Sequence, residues 1–295
     1  MEHVLVTGGA GYLGSVLCPA LVEAGYEVTV VDQEEPGYGF GGSFVHGDVL
    51  DHRVMSLLAG EADVVIPLAA VVGAPACNEQ PAEARSVNLL AIRALCDWCG
   101  PEQTIIFPST ASVYGTTPAG SVCTEETPTN PVSLYGRTKV LAERRLRGWD
   151  NAVILRLATL SGPSPSMRWA LLLNHFVDRA MRGEAVEIWE REAKRNYIHI
   201  KDVVDCFLFA IENRDRMKGQ VYNVGNDEGN VSKEELFWMV QRHIPTAFAE
   251  FEFVDTDLAH RDYAVSSQKL RETGFVATRS LDEAIGELVG EMAHV

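Results

Sequence analysis

Val4-Leu5-Val6-Thr7-Gly8-Gly9-Ala10-Gly11-Tyr12-Leu13-Gly14 decides the fold. An apolar run, Val4 to Val6, stops at a glycine cluster, and a second apolar-periodic stretch runs from Leu13 to Ala24. That order reads as strand, tight turn, helix. A turn this tight needs residues that tolerate positive φ, and a pyrophosphate reaches the backbone only where no Cβ intervenes. Gly8, Gly11 and Gly14 supply both conditions, and the helix that follows turns its free N–H groups and positive dipole end toward the phosphate. A third apolar run, Val28 to Val31, ends in Asp32, an acid placed to accept hydrogen bonds from the adenosine ribose, which favours NAD over NADP. A glycine-rich turn in another kind of α/β domain has the same spacing. The acid at the second strand tip argues for the dinucleotide.

Outward from this unit, strands and helices alternate. A glycine-rich loop (Gly37, Gly39, Gly41, Gly42), expected to be mobile, precedes a short strand Ser43–His46. Gly47-Asp48-Val49 closes that strand. Asp48 is placed either to meet the adenine amino group or to serve as an ordinary turn aspartate. A helix is expected over Arg53–Ala59, a buried strand over 62–68 ending in the small residues Ala69 and Ala70, and one long helix over Pro81–Cys99 with Asn88 inside it. The strand Thr104–Pro108 leads into Ser109-Thr110-Ala111-Ser112. Then come a helix over Ser133–Leu146 and a strand over Ala152–Leu157. Such alternation means a parallel sheet covered on both faces, with ligands held outside the carboxyl ends of its strands. Gly8, Asp32, Asp48, Ala69 and Thr110 all fall at those ends.

Beyond Leu157 the pattern changes. Gly162-Pro163-Ser164-Pro165 breaks the chain. Helices are expected over Ala170–Arg182, Asp202–Glu212 and Lys233–His243, with strands near Val186–Trp189 and Val221–Gly225. Ser232-x-x-Glu235 and Ser280-x-x-Glu283 read as capping boxes. The expected division is a dinucleotide-binding domain over residues 1–157, with returning segments near 186–212, and a smaller substrate domain over 158–295.

The 295 residues are 46% hydrophobic, enough for a large core. A formal net charge of −16 argues against nucleic acid and anionic membranes as partners. The apolar runs are too short to span a bilayer, and Met1-Glu2-His3 leads straight into the first strand, so a cytoplasmic protein is expected. Six cysteines are scattered. Cys96-Asp97-Trp98-Cys99 lacks two further ligands at short spacing for zinc and sits late in a helix, so these thiols read as buried and reduced, with no metal.

Tyr135 and Lys139 stand four residues apart and share one helix face. A phenol of pKa ~10 is a poor base at neutral pH. A neighbouring ammonium and an oxidised nicotinamide both favour the phenolate, so the pair is expected to lower the Tyr135 pKa. Tyr135 can then take a proton from a sugar hydroxyl while the carbon gives up hydride. Thr110, at the preceding strand end, supplies a hydroxyl for the developing alkoxide, and Lys139 reaches the nicotinamide ribose. Taken alone, Tyr-x-x-x-Lys is an ordinary helix-surface spacing; the glycine loop and Thr110 give it a catalytic reading.

Thr7–Gly14, Leu68-Ala69-Ala70, Ser109–Gly115, Tyr135…Lys139 and Arg195–Asp202 resemble the extended short-chain dehydrogenase/reductase family of nucleotide-sugar enzymes along essentially the whole chain. The resemblance implies an α/β Rossmann fold, a doubly wound parallel sheet with a smaller α/β substrate domain. By it, Thr110, Tyr135 and Lys139 are the catalytic set. Gly8, Gly11, Tyr12, Leu13, Gly14, Asp32, Asp48, Val49, Leu68, Ala69, Ala70 and Asn88, with Tyr135 and Lys139, line the NAD site. Thr110, Thr159, Asn174, Arg195 and Arg261 hold a nucleotide-diphosphate sugar, arginine being suited by its fork to phosphate oxygens. A surface role is the other reading of the two arginines.

The departures narrow the activity. The family's sugar dehydratases carry an acid pair where this chain has Ala111 and Ser112, and its UDP-galactose epimerases carry lysine where this chain has Val72. The stretches Ile66–Cys77, Arg195–His199, Met217–Gln220 and Arg261–Ser266 resemble GDP-heptose 4-dehydrogenases. The expected activity is therefore NAD-dependent oxidation at C4 of a GDP-heptose-like nucleotide sugar. A nucleotide-sugar 4-epimerase and a non-catalytic dinucleotide-binding sensor are the alternatives. Family members often pair through the two helices over 81–99 and 133–146, so a homodimer is expected.

Overall fold

Five strands alternate their side chains between two cores, and this period of two fixes the architecture. Val4 and Val6, Val28 and Val30, Val64 and Ile66, Ile106, and Val153 and Leu155 join one core, with Leu17, Leu21, Phe207 and Ile211. Leu5, Val31, Val65, Ile105, Phe107 and Ile154 face the opposite core, with Met55, Ile92, Leu95 and Leu146. A sheet buried on both faces requires such near-continuous apolar runs.

The structure, a computed structural model, describes residues 1–118, 120–252 and 263–293. The first half runs β1 (His3–Thr7), α1 (Gly14–Glu23), β2 (Glu27–Asp32), β3 (Ser43–His46), α2 (His52–Glu61), β4 (Val64–Pro67), α3 (Ala74–Glu79), α4 (Pro81–Arg85), α5 (Ala91–Trp98), β5 (Thr104–Thr110), β6 (Val122–Cys123) and α6 (Leu134–Leu146). It continues with β7 (Ala152–Leu157), β8 (Thr159–Ser161), α7 (Leu172–Met181), β9 (Val186–Trp189), β10 (Lys194–His199), α8 (Ile200–Glu212), α9 (Arg214–Met217), β11 (Gln220–Val224), β12 (Asn230–Ser232), α10 (Lys233–His243), β13 (Ala249–Glu252), β14 (Ala264–Val265), α11 (Gln268–Glu272) and α12 (Leu281–Ala293). Seven strands form one parallel sheet in the order β11-β7-β5-β4-β1-β2-β3. The fold is thus the doubly wound α/β sheet. Three small sheets, β12-β10-β8, β13-β9 and β14-β6, lie outside it. A third core gathers α7, α10 and α12 through Phe176, Phe237 and Leu288. β9 pairs with β13, whereas β11 extends the large sheet and α8 packs on it.

Local chemistry sets the element ends. Ser133 Oγ caps α6 by accepting from Gly136 N at 3.1 Å. At α10, Ser232 Oγ accepts from Glu235 N and the Glu235 carboxylate accepts from Ser232 N; Ser280 and Glu283 repeat this at α12. The helix expected over 81–99 is interrupted. Residues Ser86–Leu90 form a π-turn between α4 and α5, which turns Asn88 inward. α3, just before Pro81, has no periodic signal in the sequence. The glycine-rich loop after Asp32, expected to be mobile, is tied down where the Tyr38 hydroxyl donates to Gly9 O (2.6 Å) and Gly14 O (3.2 Å). All six cysteines are free and buried. Among the described residues no helix is long and apolar enough to cross a membrane.

One ion pair is wholly buried between β7 and α6. Arg156 Nε and Nη2 donate to the two oxygens of Glu143 at 3.0 and 2.8 Å. Its Nη1 donates to the Tyr114 hydroxyl at 3.0 Å, and Tyr114 in turn donates to Asn223 Oδ1 at 2.6 Å. Ser109 also donates to Glu143. The network thus spans β5, α6, β7 and β11. Removing one member strands a charge in the core, which costs about 3–5 kcal/mol. Glu143→Ala is therefore expected to lower the stability measured by urea denaturation by about that amount, and Glu143→Leu combined with Arg156→Met to recover much of it.

Candidate functional site

The carboxyl ends of β1, β2, β4 and β5 meet at one edge of the sheet. At Gly8, φ is +76°, and a Cβ there would lie 2.5 Å from Ala69 N. A Cβ on Gly14 would lie 2.4 Å from Gly9 O. β1, β4 and α1 therefore approach one another as closely as backbone allows, and Leu68 N and Ala69 N both donate to Thr7 O at 2.9 Å. Gly11 differs. It is exposed, and a Cβ there would meet only Gly8 O, at 3.3 Å, on its inner side. A ligand can approach the backbone at that point, in front of α1, where the N–H groups of Tyr12, Leu13 and Gly14 have no acceptor among the described residues while Ser15, Val16 and Leu17 already donate to Gly11 O and Leu13 O. Tyr12 and Leu13 flank this opening, both half-buried.

Asp32 ends β2 with Oδ2 accepting from Ala10 N at 2.9 Å and Oδ1 from Glu34 N at 3.2 Å. It braces the glycine loop and keeps acceptor capacity for ribose hydroxyls. Asp48 accepts from Gln33 Nε2 (3.0 Å) and Leu50 N (2.8 Å), and Val49 lines a narrow recess with Thr7, Pro67 and Ala69. Buried Asn88 accepts from Val71 N and donates to Val71 O, both at 2.9 Å, and also donates to Thr138 Oγ1 at 3.3 Å. It thereby fixes the chain just beyond Ala70 against α6. These residues fit a dinucleotide: a glycine opening, a helix N-terminus, and an acid at the second strand end.

Thr110, Tyr135 and Lys139 come together at the same edge. Thr110 ends β5, nearly buried, its hydroxyl accepts from Ser112 N at 3.2 Å, and it lies close enough to favour the ionised form of the Tyr135 phenol. Lys139, one turn along α6, donates from Nζ to Pro108 O at 2.8 Å, and Nζ lies 6.0 Å from the Tyr135 ring centre. Burial pushes the Tyr135 phenol up to about 12, against the Arg168 guanidinium, the nearby Cys77 thiol acting in the same direction as burial. Without the nicotinamide, loss of water outweighs the Arg168 charge on this phenol; the lowering expected from the sequence combines the ammonium with the oxidised nicotinamide. Burial brings Lys139 down to about 8, against the Glu143 carboxylate. At neutral pH the ammonium form still prevails.

The remaining predicted residues separate. Thr159 is half-buried in β8, paired in register with Tyr197. Asn174 is fully buried: its Oδ1 accepts from Gly162 N (3.3 Å), and its amide donates to Tyr12 OH (3.3 Å) and Arg168 O (3.2 Å). Arg195 is half-buried in β10 with Nε enclosed and without a hydrogen-bond partner among the described residues. Arg261 lies outside the described residues. Two groups at the site carried no signal in the sequence. Arg168 stands in an aperiodic loop after Gly162-Pro163, and Cys77 lies on short α3, donating to Val71 O at 3.1 Å.

Comparison with known proteins agrees with this geometry. A profile described as the NAD dependent epimerase/dehydratase family matches residues 4–225. The UDP-glucose 4-epimerase of Bacillus subtilis is 28% identical over 323 residues, covering 95% of this chain and 94% of its own. The UDP-glucose 4-epimerase of Corynebacterium glutamicum is 28% identical over 255 residues, covering 78% of this chain and 77% of its own. Among solved structures, MoeE5 in complex with UDP-glucuronic acid and NAD superposes with a TM-score of 0.88 at 26% identity, over 99% of both chains. UDP-glucose 4-epimerase from Thermotoga maritima with UDP-glucose gives 0.86 at 25% identity, again over 99% of both chains. With its glycine opening, strand-end acid and phenol–ammonium pair at one sheet edge, the chain is an NAD-dependent enzyme and belongs to the NAD dependent epimerase/dehydratase family.

Proposed function

We propose that the chain is a nucleotide-sugar 4-epimerase with Thr110, Tyr135 and Lys139 as its catalytic set. The observation that carries this reading is the half-buried Tyr135 phenol, beside Thr110 and one helical turn from Lys139, at the edge where the dinucleotide fits. Bound NAD supplies the acceptor for the C4 hydride and returns it. Tyr135 takes the proton of the C4 hydroxyl and gives it back when the carbonyl is reduced from its other face. Thr110 holds the oxygen through both passages. Lys139 favours the phenolate and orients the nicotinamide ribose. Residues 1–157, with α8 and β11, form the cofactor-binding part in this reading. The segments from 158 onward, Arg195 with its enclosed Nε among them, supply the substrate side.

The GDP-heptose-like 4-dehydrogenase expected from Ile66–Cys77 and the C-terminal stretches has less support. The similar curated proteins quoted above are named as UDP-glucose 4-epimerases. The sensor alternative is disfavoured by the intact Tyr135–Lys139 pair. Pairing of two chains through the 81–98 and 134–146 helices is supported by exposed Leu90 and Leu141 on them.

Four outcomes test this reading. Tyr135→Phe is expected to lower turnover by about 100- to 10,000-fold while NAD remains bound. With the wild type and UDP-glucose, inversion at C4 without net build-up of reduced nicotinamide marks an epimerase; stoichiometric build-up marks a dehydrogenase. In a spectrophotometric titration, the cofactor-free wild type minus Tyr135→Phe is expected to show one phenol ionising at about 12, and saturating NAD to move it lower. Light scattering is expected to give the mass of two chains.

A further inference from the structure

The segment between β8 and α7 brings Arg168 to the mouth between the two parts of the molecule. Its carbonyl accepts from the Asn174 amide and from Leu171 N, both at 3.2 Å. The same Asn174 amide reaches the Tyr12 hydroxyl, which itself donates to Gly162 O at 2.7 Å. The turn that carries Arg168 is thus anchored to the cofactor loop.

The side chain crosses to the opposite wall. Nη2 donates to Val72 O at 2.7 Å, and a Cβ on Gly73 would lie 3.7 Å from that nitrogen. Val72 lies just beyond Ala69-Ala70, at the edge that holds Tyr135, and the Arg168 charge is the largest influence opposing burial on that phenol. Among the described residues the Val72 carbonyl is its one hydrogen-bond partner, and no carboxylate pairs with it. A guanidinium presents five N–H donors, so most of this one's capacity is unspent. In a chain with 41 acidic and 25 basic residues, a half-buried cation left to a single neutral acceptor is set up to receive an anion.

Resting on the nucleotide-sugar reading above, we propose that Arg168 receives an anionic oxygen of the substrate beside Tyr135 and selects for ligands that bring negative charge to that point. A carboxylate on the sugar and the phosphate at its anomeric carbon share this chemistry.

Calorimetric binding of UDP-glucose, UDP-glucuronic acid and GDP-mannose to the NAD-loaded wild type, Arg168→Gln, Arg168→Met and Arg168→Lys tests the proposal. The two neutral variants are expected to bind about 10- to 100-fold more weakly, and Arg168→Lys to recover part of the loss. NAD affinity and melting temperature are expected to stay at wild-type values. A loss confined to UDP-glucuronic acid assigns the sugar carboxylate; an equal loss for all three ligands assigns the phosphate. Wild-type affinity of either neutral variant for every ligand that the wild type binds overturns the role of Arg168 and leaves the nucleotide-sugar reading standing. Failure of the wild type to bind any of the three removes that reading, and this proposal with it.

Discussion

The close approach of β1, β4 and α1 at the glycine loop is the constraint on which the rest depends. Gly8 lies so near Ala69 that a methyl group would overlap its backbone, and Gly14 lies equally near Gly9. Because these backbones touch, Thr7 O can accept from both Leu68 N and Ala69 N, and the ends of two strands become one platform. Asp32 braces this platform through Ala10 N, Tyr38 through Gly9 O and Gly14 O, and Asn88 fixes the chain beyond Ala70. The phenol and the ammonium are then placed against it by a single helix, α6. Thr110, Tyr135 and Lys139 are thus carried by a strand end and a helix rather than by a loop.

Charge is handled unevenly around this edge. The chain as a whole is strongly acidic, yet Lys139, Arg156 and Arg168 stand close to the sheet end or just behind it, and Arg195 lies in β10 of a separate small sheet. Two are settled within the protein. Arg156 is neutralised by Glu143, and Lys139 is held by Pro108 O with Glu143 one turn away. Arg195 and Arg168 are not settled in this way by the described residues. The buried pair therefore works as scaffolding, while the two half-buried arginines keep donor capacity that the described residues do not use.

Much of the fold was legible because the signals were local and redundant. Val4–Gly14 carried strand, turn and helix together, and the capping boxes at Ser232 and Ser280 marked two helix starts. Features that depend on tertiary contacts were not legible. The π-turn at Ser86–Leu90 accompanies the bonds of Asn88 to Val71, a tertiary contact that helical periodicity does not express. Glu143, four residues after Lys139, reads as a solvated helix position until β7 is seen to bring Arg156 against it. The rise in the Tyr135 pKa depends on lost water, which spacing cannot express. Arg168 sits in an aperiodic loop, and its crossing to Val72 exists only in three dimensions. The expected activity leaned on short stretches such as Ile66–Cys77, and these say little about which way hydride goes once it has left the sugar.

The Tyr12 hydroxyl has a mechanical consequence. Its own backbone flanks the glycine opening, while its ring reaches Gly162 and Asn174 on the far side of the mouth. Whatever settles the glycine segment also steadies the opposite rim, and by reciprocity a guest seated against that rim tightens the grip on the dinucleotide.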